Sequence, residues 1–557
     1  MLLSEKLRDE YDYVIIGSGF GGSVSAYRLT QKGYKVLVIE KGKQYHAHNM
    51  PESNRDLKRW IWAPAIGLQG IMKMTFFRHV MALSGVGVGG GSLVYGATLP
   101  TPKPQYFETG SWAGLKDWQE ALKPHYATAL KMLGATNNPH LTEADLVMQK
   151  LSKKLGREEE FSTARAGIFF SEPGEEGNVV DDPYFGGKGP ARKGCIECGG
   201  CLSGCRHNAK NSLDKNYLYL ARQAGADIIA QTEVVDVSPI GTVGGEQGYT
   251  IKTRPLLGND KSYPAIWTKG VIFSGGVLGT VPLLLKLKAS GSLSRLSERV
   301  GFDIRTNSET LTAVTSANED ADFAQGIGIG SILNTDDHSH VEPINYSPKS
   351  DFWRWILTPQ TIAKTFPGRM AQLAKALVTE PRQYMKHLFS KNWGKRTFYL
   401  LFMQHLDGTL TMKRNRLGFV TTGLGEGAAP SCYIPESQRI SESVSELVNG
   451  RITRPANEAF LGAPSTAHVL GGAVIGEDAS KGVIDEHNRV FGYQNMYVCD
   501  GAAISANPGV NPSLSITALT EWAMSHIPKK ELSQIPNQPV EVKHKNLEVH
   551  VASTSLV

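Results

Sequence analysis

Apolar and polar positions change period sharply at the start of this chain. Tyr13-Val-Ile-Ile16 is an unbroken apolar run, the length of a strand buried on both faces. Gly17, Gly19 and Gly22 follow at once in the order G-x-G-x-x-G. Ser23–Gln31 then reads as a helix, and Lys35–Ile39 as a second buried strand ending on Glu40. The order strand, glycine turn, helix, strand, acid predicts a dinucleotide site. The glycines let the backbone close on a pyrophosphate at the helix N-terminus, and the acid is placed to accept a ribose hydroxyl.

Further along, Gly85–Gly91 holds five glycines, too many for a helix interior and suited to close contact with a flat or phosphorylated ligand. Leu115–Leu133 carries apolar residues three and four apart and predicts a helix, as does Asp214–Ala224. Asp227–Ala230, Glu233–Val237 and Val271–Phe273 read as strands, and 397–423 alternates like strands. Residues 340–400 look irregular, aromatic and basic, and the tail after about Lys530 is polar and poorly ordered by composition. Pieces suited to a cofactor are thus scattered. The expected organisation is a discontinuous cofactor domain (8–100, 190–305 and 462–530), with a substrate domain and cover (101–189 and 306–461) inserted between them.

Length and composition narrow the classes. A chain of 557 residues predicts two or more domains. A net charge of +6 is mild for this length, and no recognition helix, zinc finger or RNA-binding signature occurs, so nucleic acid is not an expected partner. No charged segment with an apolar core precedes the first strand, and no run of eighteen apolar residues occurs, so the expected compartment is the cytoplasm.

Four of the six cysteines, Cys195, Cys198, Cys201 and Cys205, fall within eleven residues. Their C-x₂-C-x₂-C-x₃-C spacing is that of a bacterial ferredoxin loop and predicts an iron–sulfur cluster, although Arg206 stands where ferredoxins have proline. Four thiolates also suit tetrahedral zinc, and reduced thiols without metal are the third reading. A cluster near a redox cofactor would route electrons to a partner protein.

Three motifs together resemble the glucose–methanol–choline (GMC) oxidoreductases, in the family's order and across nearly the whole chain. They are Gly17-Ser-Gly-Phe-Gly-Gly with Glu40, Gly85-Val-Gly-Val-Gly-Gly-Gly-Ser-Leu-Val, and the block from His468-Val-Leu-Gly-Gly through Asp500-Gly to Gly509-Val-Asn511-Pro-Ser. Pro183-Tyr-Phe-Gly-Gly, the cysteine loop and Asn211-Ser-Leu-Asp-Lys-Asn-Tyr resemble its cholesterol-oxidase-like branch. The resemblance implies an α/β architecture: a glutathione-reductase-like Rossmann domain binding FAD, and a substrate domain with a large antiparallel sheet. It implies that Gly17, Gly19, Gly22 and Glu40 hold the ADP half, and that Gly87, Gly91 and Ser92 run along the pyrophosphate and flavin. Val234 would meet adenine through its backbone, Asp500 and Gly501 the ribityl phosphate, and Asn511 and Pro512 the flavin ring. Tyr95 departs from the Asn or His usual at its position.

Oxidising an alcohol needs a base for the hydroxyl proton, and a neutral imidazole suits it. The family places its catalytic His at His468 and its second His or Asn at Asn511, which would orient the alcohol oxygen. His405 and Glu309 are further groups that could reach the same cavity. The expected reaction is hydride transfer from a steroid-like or other bulky apolar alcohol to the flavin. Desaturation of a cyclic ketone and an electron-transfer subunit are the alternatives. Arg354, Lys364, Arg369, Lys375, Arg382 and Lys386, interleaved with Phe352, Trp353, Trp355, Phe389 and Trp393, suit a peripheral surface on anionic lipid or a solvated lid over an apolar substrate.

Overall fold

The computed structural model describes residues 7, 10–256 and 261–531. Nearly all of the tail expected to be poorly ordered therefore lies outside the described residues. The apolar run at the start becomes the strand Tyr11–Ile16, with every residue buried. It sits inside a seven-stranded sheet ordered Asp227–Ile229, Val36–Ile39, Tyr11–Ile16, Ile266–Phe273, Tyr249–Pro255, Thr232–Pro239. The long strand Ile266–Phe273 changes partner along its length. Its first half pairs antiparallel with Tyr249–Pro255, and its second half pairs parallel with the short seventh strand Met496–Val498. Three widely separated chain regions, 11–39, 227–273 and 496–498, thus build one sheet.

The helix Phe20–Gln31 packs on this sheet and against the helices Tyr217–Gln223 and Ser513–Ser525. Arg28 clamps the last of these, with Nε and Nη2 donating to the two carboxylate oxygens of Glu521 at 2.7 and 2.8 Å. The hydroxyl of Tyr217 donates to the same carboxylate at 2.6 Å. A bidentate pair of this kind fixes orientation as well as distance.

A second seven-stranded sheet is antiparallel throughout. Its order is Leu357–Pro359, Gly450–Pro455, Thr310–Ser316, Thr397–Gln404, Ser339–Ile344, Ser331–Asn334, Phe161–Thr163. Thr397–Gln404 lies mid-sheet and is buried at all eight positions. The strands Met72–Phe76, Met81–Gly85 and Ser465–Thr466 form a small separate sheet.

Two local expectations need correction. Residues 340–400 are not irregular: they contain the strand Ser339–Ile344 and the helices Phe366–Thr379 and Pro381–Phe389. Phe366, Met370, Leu373 and Leu377 recur at helical spacing in the first of these, and of them Leu373 is buried while Phe366 and Leu377 are exposed. The helix expected over Asp214–Ala224 starts later, as a 3₁₀ turn at Leu213–Lys215 followed by Tyr217–Gln223.

The glycine turn is shaped by close approach. Gly17 has φ +102°, and a Cβ there would lie 2.3 Å from the carbonyl oxygen of Ser274. A Cβ on Gly22 would lie 2.1 Å from the carbonyl oxygen of Gly17. Gly22→Ala should therefore push the helix Phe20–Gln31 off the turn. The expected loss is about 2–3 kcal/mol of stability in denaturant titration, together with a lowered flavin content of the purified protein.

Candidate active site

The strand ends and glycine turns converge on one cavity of about 640 Å³, a size usual for cofactor and substrate sites. Its polar end is lined by Gly17, Ser18, Gly19, Glu40, Val234 and Ser274–Gly276, and its apolar end includes Leu83, Leu311, Ile344, Trp353, Leu357 and Leu401. His468, Asp500, Gly501, Asn511 and Pro512 line the same space.

The polar end suits a dinucleotide. Three helices begin at its wall: Phe20–Gln31 after Gly19, Val277–Ala289 after Gly276, and Ser513–Ser525 after Pro512. Each presents unsatisfied N–H groups and the positive end of its dipole, which favours phosphate oxygens. A Cβ on Gly19 would meet nothing closer than 4.0 Å, so the space beside it is left to a ligand. Ser513 Oγ and Asn511 Oδ1 are buried without a protein partner among the described residues, as groups awaiting a ligand would be. These residues fit FAD.

Glu40 does more than line the wall. Its Oε2 accepts from the N–H and Oγ of Ser18 at 3.1 and 2.8 Å, and its Oε1 accepts from the N–H of Gly42 at 2.8 Å. Ser18 Oγ in turn accepts from the N–H of Gly89 at 3.1 Å. One carboxylate therefore ties both glycine loops together. Asp500 has a similar place on the opposite side. It accepts from Gly276 N–H, Thr280 Oγ1 and Ala502 N–H at 2.8, 2.5 and 2.8 Å. Burial pushes its carboxyl up to about 6 against those hydrogen bonds.

Three expected cofactor residues stay behind the wall. Gly22 serves helix-to-turn packing, and a Cβ on Gly87 would lie 2.7 Å from Leu93 Cδ1. Ser92 is fully buried, with Oγ donating to Gly89 O at 2.7 Å and accepting from Leu213 N–H at 3.0 Å. In their loop it is Gly85, Gly90 and Gly91 that reach the cavity. Tyr95 also lines it, its hydroxyl turned away to donate to Asn211 O at 3.0 Å.

His468 follows the short strand Ser465–Thr466, and Glu309 immediately precedes the strand Thr310–Ser316 of the second sheet. Glu309 is buried. Its Oε2 lies 2.7 Å from His468 Nδ1, and its Oε1 accepts from the N–H groups of Ala467 and His468 at 2.6 and 3.2 Å. A carboxylate there assigns the proton to Nδ1 and leaves Nε2, which has no protein partner among the described residues, with its lone pair free. Burial alone would push the imidazole down. The charge and hydrogen bond of Glu309, joined by the charge of Glu342, outweigh it and hold the group above its ordinary value.

Asn511 has a backing carboxylate of its own. Its Nδ2 donates to Oε2 of Glu342 at 3.2 Å, which leaves the second Nδ2 hydrogen and Oδ1 to a ligand. Glu342 is fully buried on the strand Ser339–Ile344, and its Oε1 lies 3.3 Å from His340 Nε2 without hydrogen-bond alignment. Neither Glu309 nor His405 lines the cavity. Glu309 touches His468, which does line it. Glu342 escaped the sequence reading, since its partner lies 169 residues away.

The cysteine expectation is not supported. Cys195, Cys198, Cys201 and Cys205 do line a common small cavity, of about 20 Å³, and all four are free. Yet among the described residues no group of three or more His, Cys, Asp or Glu side chains is arranged to hold a metal ion. Protein groups hold the loop instead. The N–H groups of Glu197 and Lys210 donate to the sulfurs of Cys195 and Cys205 at 3.4 and 3.5 Å. Lys210, itself buried, donates through Nζ to the carbonyls of Leu93, Tyr95 and Cys201 at 2.9, 3.2 and 2.6 Å. Burial pushes the Cys201 thiol up to about 12, favouring the protonated form.

Cofactor turns, cavity and paired carboxylates define a flavin-dependent oxidoreductase, and comparison with known proteins gives the family. Residues 438–520 match the model described as GMC oxidoreductase, and residues 15–49 match a NAD(P)-binding Rossmann-like domain. The chain is 41% identical over 529 residues to a cholesterol oxidase of Acinetobacter baumannii, covering 94% of this chain and 95% of that enzyme. It is 40% identical over 536 residues to a cholesterol oxidase of Mycobacterium tuberculosis, covering 94% and 92%. The crystal structure of a pyridoxine 4-oxidase from Mesorbium loti superposes with a TM-score of 0.59 at 13% identity, covering 92% of this chain and 98% of that one. The chain belongs to the GMC oxidoreductases and is an FAD-dependent enzyme of the alcohol oxidase or dehydrogenase type.

The Glu309–His468 contact sets a pH dependence. A raised pKa keeps the imidazole protonated to higher pH, so its free-base form gains population only as pH rises through that value. Glu309→Gln removes the charge that raises it. The acidic limb of kcat/KM against pH should move to lower pH, and the plateau should fall about tenfold or more; an unmoved limb would mean that the Glu309–His468 contact does not set it.

Proposed function

We propose that this enzyme oxidises the hydroxyl of a bulky, apolar, steroid-like alcohol. The observation that carries the reading is a single geometry: an imidazole with Nδ1 tied to a buried carboxylate and Nε2 free, at the wall of a cavity whose far end is apolar. FAD, held along Gly17–Gly19, Glu40, Val234 and Asp500–Gly501, supplies the hydride acceptor when bound. His468 Nε2 takes the hydroxyl proton, and Glu309 stabilises the imidazolium that forms. Asn511, with one Nδ2 hydrogen committed to Glu342, offers the other to the alcohol oxygen and so sets the direction of its C–H bond.

The substrate class rests on the lining. Leu311, Ile344, Leu357 and Leu401 offer flat apolar surface with few competing polar atoms. The hydroxyl of Tyr399 and Nε1 of Trp353 are exceptions, both buried at the cavity wall with no hydrogen-bond partner among the described residues. The two bacterial relatives are cholesterol oxidases, which supports a sterol as substrate and dioxygen as the electron acceptor. A partner protein as acceptor is the second reading. It draws on Leu202, which follows Cys201 in the thiol loop and lines the main cavity.

Two measurements test this. In anaerobic mixing, cholesterol should bleach the flavin of the wild type. His468→Ala should slow that bleaching by about 10²–10⁴-fold with FAD still bound; an unchanged rate removes His468 from the mechanism. Protein purified without air should show flavin absorbance alone, with iron and zinc well below one per chain, and should form peroxide in step with substrate. Stoichiometric iron with sulfide, or turnover only with an added electron acceptor, would return the thiol loop to the electron path.

A further inference from the structure

The cover has two faces of different character. Trp353 and Leu357 are buried and line the cavity, while Trp355 between them is 58% exposed. Beyond Leu357–Pro359, the edge strand of the second sheet, the helices Phe366–Thr379 and Pro381–Phe389 turn more apolar side chains outward. Phe366, Leu377, Met385 and Phe389 are exposed, and Val378 is 79% exposed. Phe389 meets Trp355 edge to face at 6.2 Å, which joins the far end of the helices to the turn beside the cavity. The adjoining helix Ala456–Leu461 packs on Phe366–Thr379 and adds Phe460 and Leu461 to the same exposed surface. A concentration of exposed apolar side chains on this scale marks a contact surface rather than ordinary scatter.

The charges on this face have one sign. Lys364, Lys375, Arg382 and Lys391 are exposed and make no ion pair among the described residues. The two acids nearby are already committed. Glu380 is paired with Arg451 at 2.7 Å, and Asp351 is buried between Arg55 and Arg354. Uncompensated cations disfavour a second copy of this chain as the occupant, because a two-fold contact would set them against each other. Basic residues interleaved with Trp and Phe fit an interface where the apolar rings enter and the cations stay among anionic groups. No helix among the described residues is long and apolar enough to cross a membrane, so the contact is peripheral.

We propose that the face carrying Trp355, Phe366, Val378, Met385 and Phe389, rimmed by Lys364, Lys375 and Arg382, docks this enzyme on an anionic lipid surface. Docking would set the cavity wall formed by Trp353 and Leu357 one side-chain layer from the lipid. The docking itself does not depend on which substrate the cavity takes, and it is read by binding alone.

The test is co-sedimentation of the full-length, FAD-loaded protein with vesicles of phosphatidylcholine alone and of phosphatidylcholine with phosphatidylglycerol. The wild type should pellet with the anionic vesicles, more weakly at high salt, and little with neutral ones. Lys364→Glu, Lys375→Glu and Arg382→Glu together should cut binding to anionic vesicles about tenfold or more. These positions are exposed, so the fold should survive, checked by an unchanged melting temperature. Trp355→Ser with Phe389→Ser should remove the binding that remains at high salt. Equal sedimentation of wild type and charge-reversal variant, or no binding of the wild type to either vesicle, overturns the proposal. So does a wild-type dimer in sedimentation velocity that the Trp355/Phe389 variant converts to monomer, since the face would then be a self-association surface.

Discussion

The cofactor end of the molecule hangs on one buried carboxylate. Glu40 closes the second strand, fixes Ser18 and Gly42, and through Ser18 Oγ reaches the N–H of Gly89. Two glycine loops that are separate in sequence are thereby held at one spacing. Neither loop has side chains of its own to specify that spacing, and glycine-rich backbone is entropically the costliest to fix. Hydrogen bonds to an ionised group are about twice as strong as neutral ones, so Glu40 does for the loops what packing does for the strands. The same constraint explains why Gly17 must take φ +102° close against Ser274: the turn is pinned on one side by the carboxylate and on the other by the next strand's end.

The chemistry at the other end repeats this arrangement with different partners. His468 and Asn511 come from the last hundred residues, and the carboxylates behind them, Glu309 and Glu342, come from the second sheet. Each of these two side chains is thus mounted on a loop but oriented by the head of a strand or by the strand itself. A loop alone would leave the imidazole free to rotate. A buried acceptor 2.7 Å from Nδ1 selects one tautomer and one ring orientation. The second sheet is therefore both wall and frame, and the distance between its strands sets the distance between the two groups.

How much of this could be read from the chain depended on whether a residue's partner is near in sequence. The strand–turn–helix–strand start was legible because all its parts lie within thirty residues and only glycine tolerates those contacts. The loop at Gly85–Gly91 was legible as a loop, but composition does not say which residues face the ligand; Gly91 does, whereas Gly87 and Ser92 turn to Leu93 and Leu213. His468 and Asn511 came from resemblance to a family pattern, while the roles of Glu309 and Glu342 had no local signal at all. The cysteine spacing was suggestive for the opposite reason: a local pattern was legible, but the side-chain arrangement that decides metal binding is set by tertiary contacts such as those of Lys210. The cover helices went unread because aromatic and basic residues dominate the segment, although Phe366, Met370, Leu373 and Leu377 recur at helical spacing within it.

The seventh strand of the first sheet, Met496–Val498, seats beside Val271–Phe273, and the helix after it is locked to Arg28 through Glu521. On a ribosome, the first strand emerges hundreds of residues before these pieces do. The nascent chain must wait, with one flank of Val271–Phe273 unpaired, until almost the whole polypeptide has been synthesised. Closure of the cofactor seat is then a late event of biogenesis, and a chain cut short before its last sixty residues would carry the nucleotide signature yet lack Asp500, Gly501, Asn511 and Pro512 from the wall.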